Sequence, residues 1–310
     1  MSTTAVPSAA AQKQLKQGKV KKGIFSVIRH LVLALLAFIW LVPIAWLLLT
    51  SFSTDKGINF TRFVPESFTM WNYVSIMTQP DSVAQFPRWF MNTLVVACFN
   101  CVISTCFVLM VAYAISCCRF KGRKLLNTLF MAGLFINVNY IVVPIFLMLR
   151  DGDVWLKNHI GSGFLLNNLF VLAVVYAATA LPFTIYLLSG YFATLPHDFE
   201  EAAYIDGASY FSAMTRIIFP MAKPSIITII LFNFLSFWNE YIISMTLMSS
   251  TNAPRTLPVG LLNLMQAQQS AAQYGTMYAG LVLVMLPTLI LYICVQRQLT
   301  QGMTVGGLKG

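Results

Sequence analysis

Charged side chains are scarce in this sequence. They make up 10% of its 310 residues, against about 25% in soluble globular proteins. Hydrophobic residues make up 58%, and the mean hydropathy is +0.73. This composition excludes a soluble globular enzyme and predicts an all-α integral membrane protein. The net charge of +10 comes from basic residues beside apolar segments, which indicates topology determinants rather than a nucleic-acid-binding surface.

Residues that perform catalysis or bind metals are also few. The three histidines, His30, His159 and His197, are far apart, and no H-E-x-x-H motif is present. The six cysteines lie in or beside apolar segments, and the Cys98-x-x-Cys101 spacing has no second pair to complete a metal site. No G-x-x-x-x-G-K-[ST] loop occurs either. The sequence therefore predicts no catalytic residue, no metal site and no cofactor or ATP bound by this chain.

Six apolar windows are long enough to cross a bilayer, which takes about 20 helical residues. They are residues 27–50, 90–116, 125–149, 168–190, 225–248 and 277–296. We therefore expect a six-span membrane domain over residues 24–296. We also expect a disordered basic tail at residues 1–23 and a carboxy-terminal tail at residues 297–310.

The distribution of basic residues predicts the orientation of these spans. Of the 20 lysine and arginine residues, 14 lie on the side of the two termini and 6 lie on the opposite side. Because the cytoplasmic side carries the excess of basic residues, we expect both termini to lie in the cytoplasm. This predicts a multi-pass protein of the bacterial cytoplasmic membrane.

One predicted cytoplasmic loop, residues 191–224, is unusually acidic. It contains Asp198, Glu200, Glu201 and Asp206. Acidic side chains do not favour an anionic cytoplasmic leaflet, so we expect this loop to face a protein partner with basic residues rather than lipid.

The same loop contains signals for two short helices. Asp198 followed by Glu201 is typical of a capping box that begins a helix, and Gly207 is a common helix terminator. Ser209 is a suitable cap for a second helix running through Ile217. We therefore predict two short helices, set at an angle, at the membrane surface.

The loop resembles the EAA loop of binding-protein-dependent ABC transporter permeases. The resemblance is carried by Glu201-Ala202-Ala203, Gly207, Ile217 and Pro220, with Phe219 where the family usually has leucine. It implies the type I importer permease fold with cytoplasmic coupling helices that dock in a groove of a separate ATPase, where Glu201 pairs with a basic residue. The ATPase-coupling residues implied in this way are Glu200, Glu201, Ala202, Ala203, Asp206, Gly207, Ala208, Ile217 and Pro220.

Further motifs resemble the carbohydrate-uptake branch of this family, and specifically its maltose-type second permease. They are Asn92-Thr93-Leu94, Tyr113-Ala114, Arg119-Phe120-Lys121-Gly122, Trp238-Asn239-Glu240, Thr256-Leu257-Pro258-Val259-Gly260 and the glycine-rich ending from Gly302 to Gly310. The resemblance implies three partners: a second permease subunit, an ATPase dimer that binds ATP and Mg²⁺, and an extracytoplasmic sugar-binding protein. The alternatives are a permease for a polyamine, phosphate or glycerol phosphate, or a secondary transporter or channel.

Glu240 is the only acidic residue within a predicted span, and such residues are candidates for function. It could line the sugar path together with Trp238 and Asn239, it could brace two helices, or it could couple transport to a proton. The sequence leaves these three roles open.

The outer loop at residues 249–276 is rich in amide side chains. By resemblance, we expect this loop to contact the sugar-binding protein, and the alternative is an ordinary solvated loop. The candidate contacts are Asn263, Gln266, Gln268 and Gln269.

Overall fold

The computed structural model describes residues 9–54, 64–78, 85–196, 198–250, 253–270 and 274–307. Apart from one isolated bridge between Ser53 and Phe68, the regular structure in these ranges is helical. The helices are α1 (Ala9–Ser51), α2 (Trp71–Thr78), α3 (Phe86–Cys117), α4 (Arg123–Gly133), α5 (Val138–Ile160), α6 (Leu169–Phe192), α7 (Asp198–Ile205), α8 (Tyr210–Ala213), a π-helical turn (Met214–Ile218), α9 (Phe219–Met221), α10 (Lys223–Trp238), α11 (Ile242–Leu247), α12 (Leu257–Ser270) and α13 (Tyr274–Gly307).

The predicted spans correspond to these helices, but two of them are broken. Four described segments are long and apolar enough to cross a membrane alone: Phe25–Ser51, Phe86–Cys117, Leu169–Phe192 and Tyr274–Gln296. The third predicted span consists of α4 and α5, which meet at a bend of 104°. The fifth consists of α10 and α11, and α10 is itself bent by 78° from the short helix before it. With each bent pair counted as one span, the fold is the expected six-span permease architecture.

The boundaries of the two predicted tails differ from the structure. Helix α1 begins at Ala9, so residues 9–23 are helical rather than disordered. This stretch is rich in alanine, glutamine and lysine, which favour helix, and it continues directly into the first span. Helix α13 likewise continues to Gly307, through most of the predicted carboxy-terminal tail. Residues 1–8 and 308–310 lie outside the described residues.

The centre of the bundle is the long contact between α3 and α6. Near the amino-terminal ends of α3 and α6, Val96 of α3 and Leu172 of α6 pack with residues of α10 and α11. Near the carboxy-terminal ends of these two helices, Ala112 of α3 and Leu188 of α6 pack with the short helices of the acidic loop, including Ile218. The acidic loop is therefore supported by the same two helices that form the core of the bundle.

Buried polar contacts hold the central helices in register. The amide nitrogen of Asn100 on α3 donates to the carbonyl of Ala173 on α6 at 2.7 Å. The amide nitrogen of Asn233 on α10 donates to the hydroxyl of Ser104 on α3 at 3.1 Å. Interhelical hydrogen bonds of this kind contribute about 0.6 kcal/mol each in membrane proteins. Helices α6 and α10 are thereby joined to the middle of α3.

Candidate functional site

Helix α7 presents two different faces. The side chains of Glu200 and Ala203 are buried, with 6% and 5% of their surface exposed, and Tyr204 is half-buried. Glu201 and Ala202 are exposed. In a helix, positions three or four apart share a face, so residues 200, 203 and 204 point towards the bundle. Residues 201 and 202 point away from it.

The end of α7 is defined by Gly207, as the sequence predicts. Its φ of 81° lies in the left-handed region, which glycine adopts without strain. The amide of Gly207 donates to the carbonyl of Tyr204 at 3.1 Å, and the amide of Ala208 donates to the carbonyl of Ala203 at 2.9 Å. This pair of hydrogen bonds is the Schellman motif that satisfies the last carbonyls of a helix.

The beginning of α7 is acidic. Asp198, Glu200 and Glu201 lie in its first turn, where the positive end of the helix dipole favours negative charge. The helix begins at Asp198, and the residue before it lies outside the described residues. The predicted capping box therefore stays a prediction.

The second short helix follows the prediction closely. Ser209 is its N-cap, and the Ser209 hydroxyl accepts from the amide of Ser212 at 3.3 Å. The helical chain then continues through α8, the π-helical turn and α9 to Met221. Phe219, which stands where the family usually has leucine, stacks against Phe192 of α6 with ring centroids 6.4 Å apart. The phenylalanine is therefore accommodated by an aromatic contact with the bundle.

The residues predicted to couple to an ATPase divide by exposure. Glu201, Ala202, Asp206, Gly207 and Pro220 are exposed, Ala208 and Ile217 are half-buried, and Glu200 and Ala203 are buried. Glu200 points into the bundle because consecutive residues of a helix lie about 100° apart, so it cannot share the outward face of Glu201. The prediction that Glu200 contacts an ATPase does not fit this burial.

Sequence reasoning missed four apolar side chains on the outward surface of this segment. Phe199, Ile205, Tyr210 and Phe211 are 46%, 85%, 68% and 70% exposed. Together with the exposed acids Asp198, Glu201 and Asp206, they form a surface of apolar side chains flanked by negative charge, which we call the coupling surface. A signal was present in the sequence, since large apolar residues in a polar loop are typical of an interaction site.

A cavity of about 690 Å³ separates α7 from the connection between α3 and α4. The side chains that line it come from the end of α3, the start of α4 and the acidic loop: Ser116, Cys117, Cys118, Arg119, Arg123, Glu200, Glu201, Tyr204 and Tyr210. The connection turns at Gly122, whose φ is 94°, and the guanidinium of Arg123 donates to the carbonyl of Ser116 at 3.0 Å. Arg119, the first residue of the Arg-Phe-Lys-Gly motif, thus lines this cavity together with Arg123.

The inward face of α7 interacts with the end of α3. The hydroxyls of Tyr204 and Tyr113 are 3.4 Å apart, and the buried Glu200 side chain lines the same cavity as Cys117 and interacts with its thiol. Burial, and next the charge of Glu200, raise the pKa of the Cys118 thiol, although Arg123 opposes this shift. Burial also raises the pKa of the Tyr204 hydroxyl. At neutral pH, the Cys118 thiol therefore stays protonated and is not a nucleophile.

Glu240 lies at the junction between α10 and α11. Its carboxylate accepts from the hydroxyl of Tyr176 on α6 at 2.5 Å and from the amides of Ile243 and Ser244 at 2.7 and 3.2 Å. The carboxylate therefore caps α11 and ties it to α6. Of the three roles left open by the sequence, this geometry supports the helix brace.

The neighbours of Glu240 differ in environment. Trp238 has no exposed surface, and its indole N–H donates to the carbonyl of Val284 on α13 at 3.2 Å. It packs in the core between Phe90 and Phe234, so the prediction that Trp238 lines a path does not fit its burial. Asn239 is exposed and remains a path candidate.

The amide-rich segment predicted as an outer loop is largely helical. Asn263 and Gln266 lie on α12, where Asn263 is half-buried and Gln266 is exposed. The side chains of Gln268 and Gln269 lie outside the described residues. Two of the four candidate contacts therefore have a described position, and both stay candidates.

Two sequence motifs meet at the start of α12. The amide of Asn92 donates to the carbonyl of Arg255 at 3.0 Å, and the hydroxyl of Thr93 accepts from the amide of Leu257 at 2.6 Å. Gly260 lies against the indole ring of Trp89 so closely that a Cβ there would be 2.2 Å from the ring. The Asn-Thr-Leu motif at the start of the second span thus anchors α12.

Comparison with known proteins identifies the family. Residues 110–305, more than half of the chain, match the family described as "Binding-protein-dependent transport system inner membrane component". The diacetylchitobiose uptake system permease protein NgcG of Streptomyces coelicolor is 30% identical, with 92% of this chain and 89% of the relative covered. The galactooligosaccharides transport system permease protein GanQ of Bacillus subtilis is also 30% identical, with 94% and 98% covered.

A third permease relative and a solved transporter structure are also similar to this chain. The trehalose/maltose transport system permease protein MalG of Thermococcus litoralis is 30% identical, with 89% of this chain and 94% of the relative covered. Among solved structures, a chain of a bacterial ABC transporter that imports the acidic polysaccharide alginate superposes with a TM-score of 0.69 at 25% identity, covering 95% of this chain and 99% of that one. The chain belongs to the family of binding-protein-dependent transport system inner membrane components.

Proposed function

We propose that this chain is the membrane-spanning permease subunit of an ATP-driven sugar importer. ATP and Mg²⁺ are bound by a dimeric ATPase on separate chains, and a second permease completes the translocation path. An extracytoplasmic sugar-binding protein delivers the sugar. Both termini of the permease face the cytoplasm, in a bacterial cytoplasmic membrane. The observation that carries this proposal is the coupling surface on the cytoplasmic loop.

The coupling surface has the chemistry of a protein-docking site. Ile205 and Phe211 are large apolar side chains that are 85% and 70% exposed, and Glu201 provides an exposed negative charge next to them. Aromatic and aliphatic side chains of this kind are the residues that anchor protein interfaces. A groove with apolar pockets and one basic residue is complementary to this surface, and the ATPase supplies that groove.

The substrate class is supported by the relatives. The permeases that this chain resembles are named for the uptake of diacetylchitobiose, galactooligosaccharides, and trehalose or maltose. Their shared chemistry is that of an oligosaccharide, so we assign a sugar to this chain as well.

The bent connection from the coupling surface to α10 provides a route for movement. The helix that ends at Met221 meets α10 at an angle of 78°, and Ile218 is buried in the same apolar cluster as Ile229 of α10. Closure of the ATPase dimer on ATP moves this segment and tilts α10 with it. Alternating access then follows from the different affinities of ATP for the two states.

The test is reconstitution with the proteins encoded beside this chain. The chain is purified in mild detergent after co-expression with its neighbours, and sugar-stimulated ATP hydrolysis is measured in liposomes that contain the sugar-binding protein. We expect an ATPase and a second permease to co-purify, and one sugar of a panel to stimulate hydrolysis.

Substitution of the exposed acid makes the test specific. The Glu201→Ala change is expected to lower recovery of the ATPase about tenfold, because it removes a charge at a protein interface. Recovery of this chain alone, with no ATPase from either the native chain or the variant, would refute the proposal.

A further inference from the structure

We propose that Glu200 and Tyr204 form a latch that fastens α7 to the cytoplasmic end of α3, so that movement of the coupling surface is transmitted to the second span as well as to α10. This inference rests on the proposed function. It assigns these two residues a positioning role, while the exposed neighbour Glu201 contacts the ATPase.

The first argument is the direction of the side chains. Glu200 is 6% exposed, and it lines one cavity with Cys117, the last residue of α3, and interacts with the thiol of that residue. A carboxylate is expensive to bury, so a buried one indicates specific interactions that compensate for the lost water. An acid whose task is to bind an ATPase would be exposed, as Glu201 is.

The second argument is a further polar contact from the same face. Tyr204 lies one helical turn after Glu200, and its hydroxyl is 3.4 Å from that of Tyr113 on α3. Tyr113 is 4% exposed, and it packs edge-to-face against Phe192 at the end of α6. The contact therefore reaches a residue fixed in the core of the bundle, four positions before Cys117.

The third argument is that α7 has little other connection to α3. The apolar cluster at the cytoplasmic end contains residues of α3, α6, the π-helical turn and α10, and among the described residues it includes none of α7. Between α7 and the α3–α4 connection lies the 690 Å³ cavity instead of packed side chains. The polar contacts across the edge of this cavity are thus what joins α7 to the second span.

The latch has a mechanical consequence. The second short helix is held to the bundle by buried apolar residues such as Met214 and Ile218. Without its latch, α7 contacts mainly the neighbouring short helix and the π-helical turn among the described residues, and it can tilt towards the cavity when the ATPase moves. With the latch, α7 and the end of α3 move together. Loss of the latch is therefore expected to uncouple hydrolysis from transport without loss of docking.

The experiment measures docking and coupling separately in the complete importer reconstituted in liposomes. ATPase recovery on purification reports docking, and sugar transported per ATP hydrolysed reports coupling. For Glu200→Ala, we expect ATPase recovery within about twofold of the native chain. We expect the coupling ratio to fall by about 5-fold or more, at the lower end of measured couplings between sites. Glu201→Ala is expected to show the reverse pattern, a loss of ATPase recovery.

Conservative variants protect the test against simple misfolding. Glu200→Gln keeps the size of the side chain and an oxygen that can accept a hydrogen bond from a thiol, so it is expected to retain coupling within about twofold. Tyr204→Phe and Tyr113→Phe each remove one hydroxyl of the pair, and each is expected to lower the coupling ratio about 2- to 10-fold. The double variant is expected to be no worse than either single one, because both changes remove the same contact. Tyr186→Phe, which removes an exposed hydroxyl from α6, is the matched control.

The outcomes are distinguishable. If Glu200→Ala lowers ATPase recovery as much as Glu201→Ala does, Glu200 belongs to the docking site and the latch is refuted. If sugar uptake and ATP hydrolysis fall in proportion in the Glu200 and tyrosine variants, the coupling ratio is unchanged. These residues then have a structural role only, and the latch is again refuted. If no ATPase is recovered with the native chain, the proposed function itself fails.

Discussion

Removal of the Glu240 carboxylate is expected to destabilise the protein rather than to weaken sugar binding. The carboxylate accepts three hydrogen bonds, from the hydroxyl of Tyr176 and from the amides of Ile243 and Ser244. Tyr176 is 1% exposed, so in the Glu240→Ala variant its hydroxyl has no access to water. A buried donor left without a partner costs about 1–3 kcal/mol, and loss of the helix cap costs about 0.5–2 kcal/mol. We therefore expect a loss of about 2–5 kcal/mol.

The assay is thermal unfolding of the purified chain in detergent. Unfolding temperatures shift by about 2–4 °C per kcal/mol in proteins of 150–250 residues, so the alanine variant is expected to unfold at least about 4 °C lower. Glu240→Gln retains an oxygen for the amides of α11 and is expected to lose about half as much. Asn239→Ala is the matched control, because its amide nitrogen donates to Leu235 of its own helix. It is expected to unfold within about 1 °C of the native chain.

Transport kinetics complete this test. If Glu240 braces α6 and α11, the KM for sugar in the glutamine variant stays within about twofold, and only the amount of folded transporter falls. An alanine variant with native stability and a KM raised about tenfold or more would refute the brace, since it would indicate direct contact with the sugar.

Three glycines give further predictions. Gly207→Ala forces a φ of 81° on a residue with a Cβ, and is expected to cost about 1–2 kcal/mol and to lower ATPase recovery, measured by co-purification. Gly260→Ala places a Cβ 2.2 Å from the Trp89 ring and is expected to displace the start of α12, measured as increased protease cleavage of the segment that leads into α12. Gly133→Leu places a Cβ 2.8 Å from the ring of Pro182 on α6, and is expected to lower the unfolding temperature by several degrees.

The sequence was sufficient to predict the spans because bilayer-crossing helices depend on length and polarity alone. It did not predict the break in the third span. The segment between Gly133 and Val138 contains no proline, and the 104° bend there is followed by a new helix whose N-cap, Asn137, accepts from the amide of Asn139 at 2.9 Å. The extension of α1 into the basic tail was missed for a different reason. The many lysines of residues 9–23 favoured a disordered tail, whereas the alanine, glutamine and lysine residues of the same stretch all favour helix.

The local backbone features of the candidate site were easier to predict than its three-dimensional arrangement. Gly207 and Ser209 have local roles that depend on their own backbone, and both were predicted correctly. The cavity next to Arg123 was not predicted, because it brings together residues about 80 positions apart along the chain. The burial of Trp238 was also missed. Its neighbours Phe90 and Val284 come from two other helices, and no pattern within one span identifies them.

The two adjacent acids of α7 illustrate how one short motif performs two tasks. Successive residues of a helix differ in direction by about 100°, so Glu200 and Glu201 point in different directions and differ in exposure. The first carboxylate is buried against the end of α3, and the second is exposed beside Ile205. If α7 is moved by the ATPase and in turn moves the end of α3, it needs contacts with both partners. If the latch is correct, removal of the charge at each position in turn will separate docking from transmission, which substitution of the whole motif cannot do.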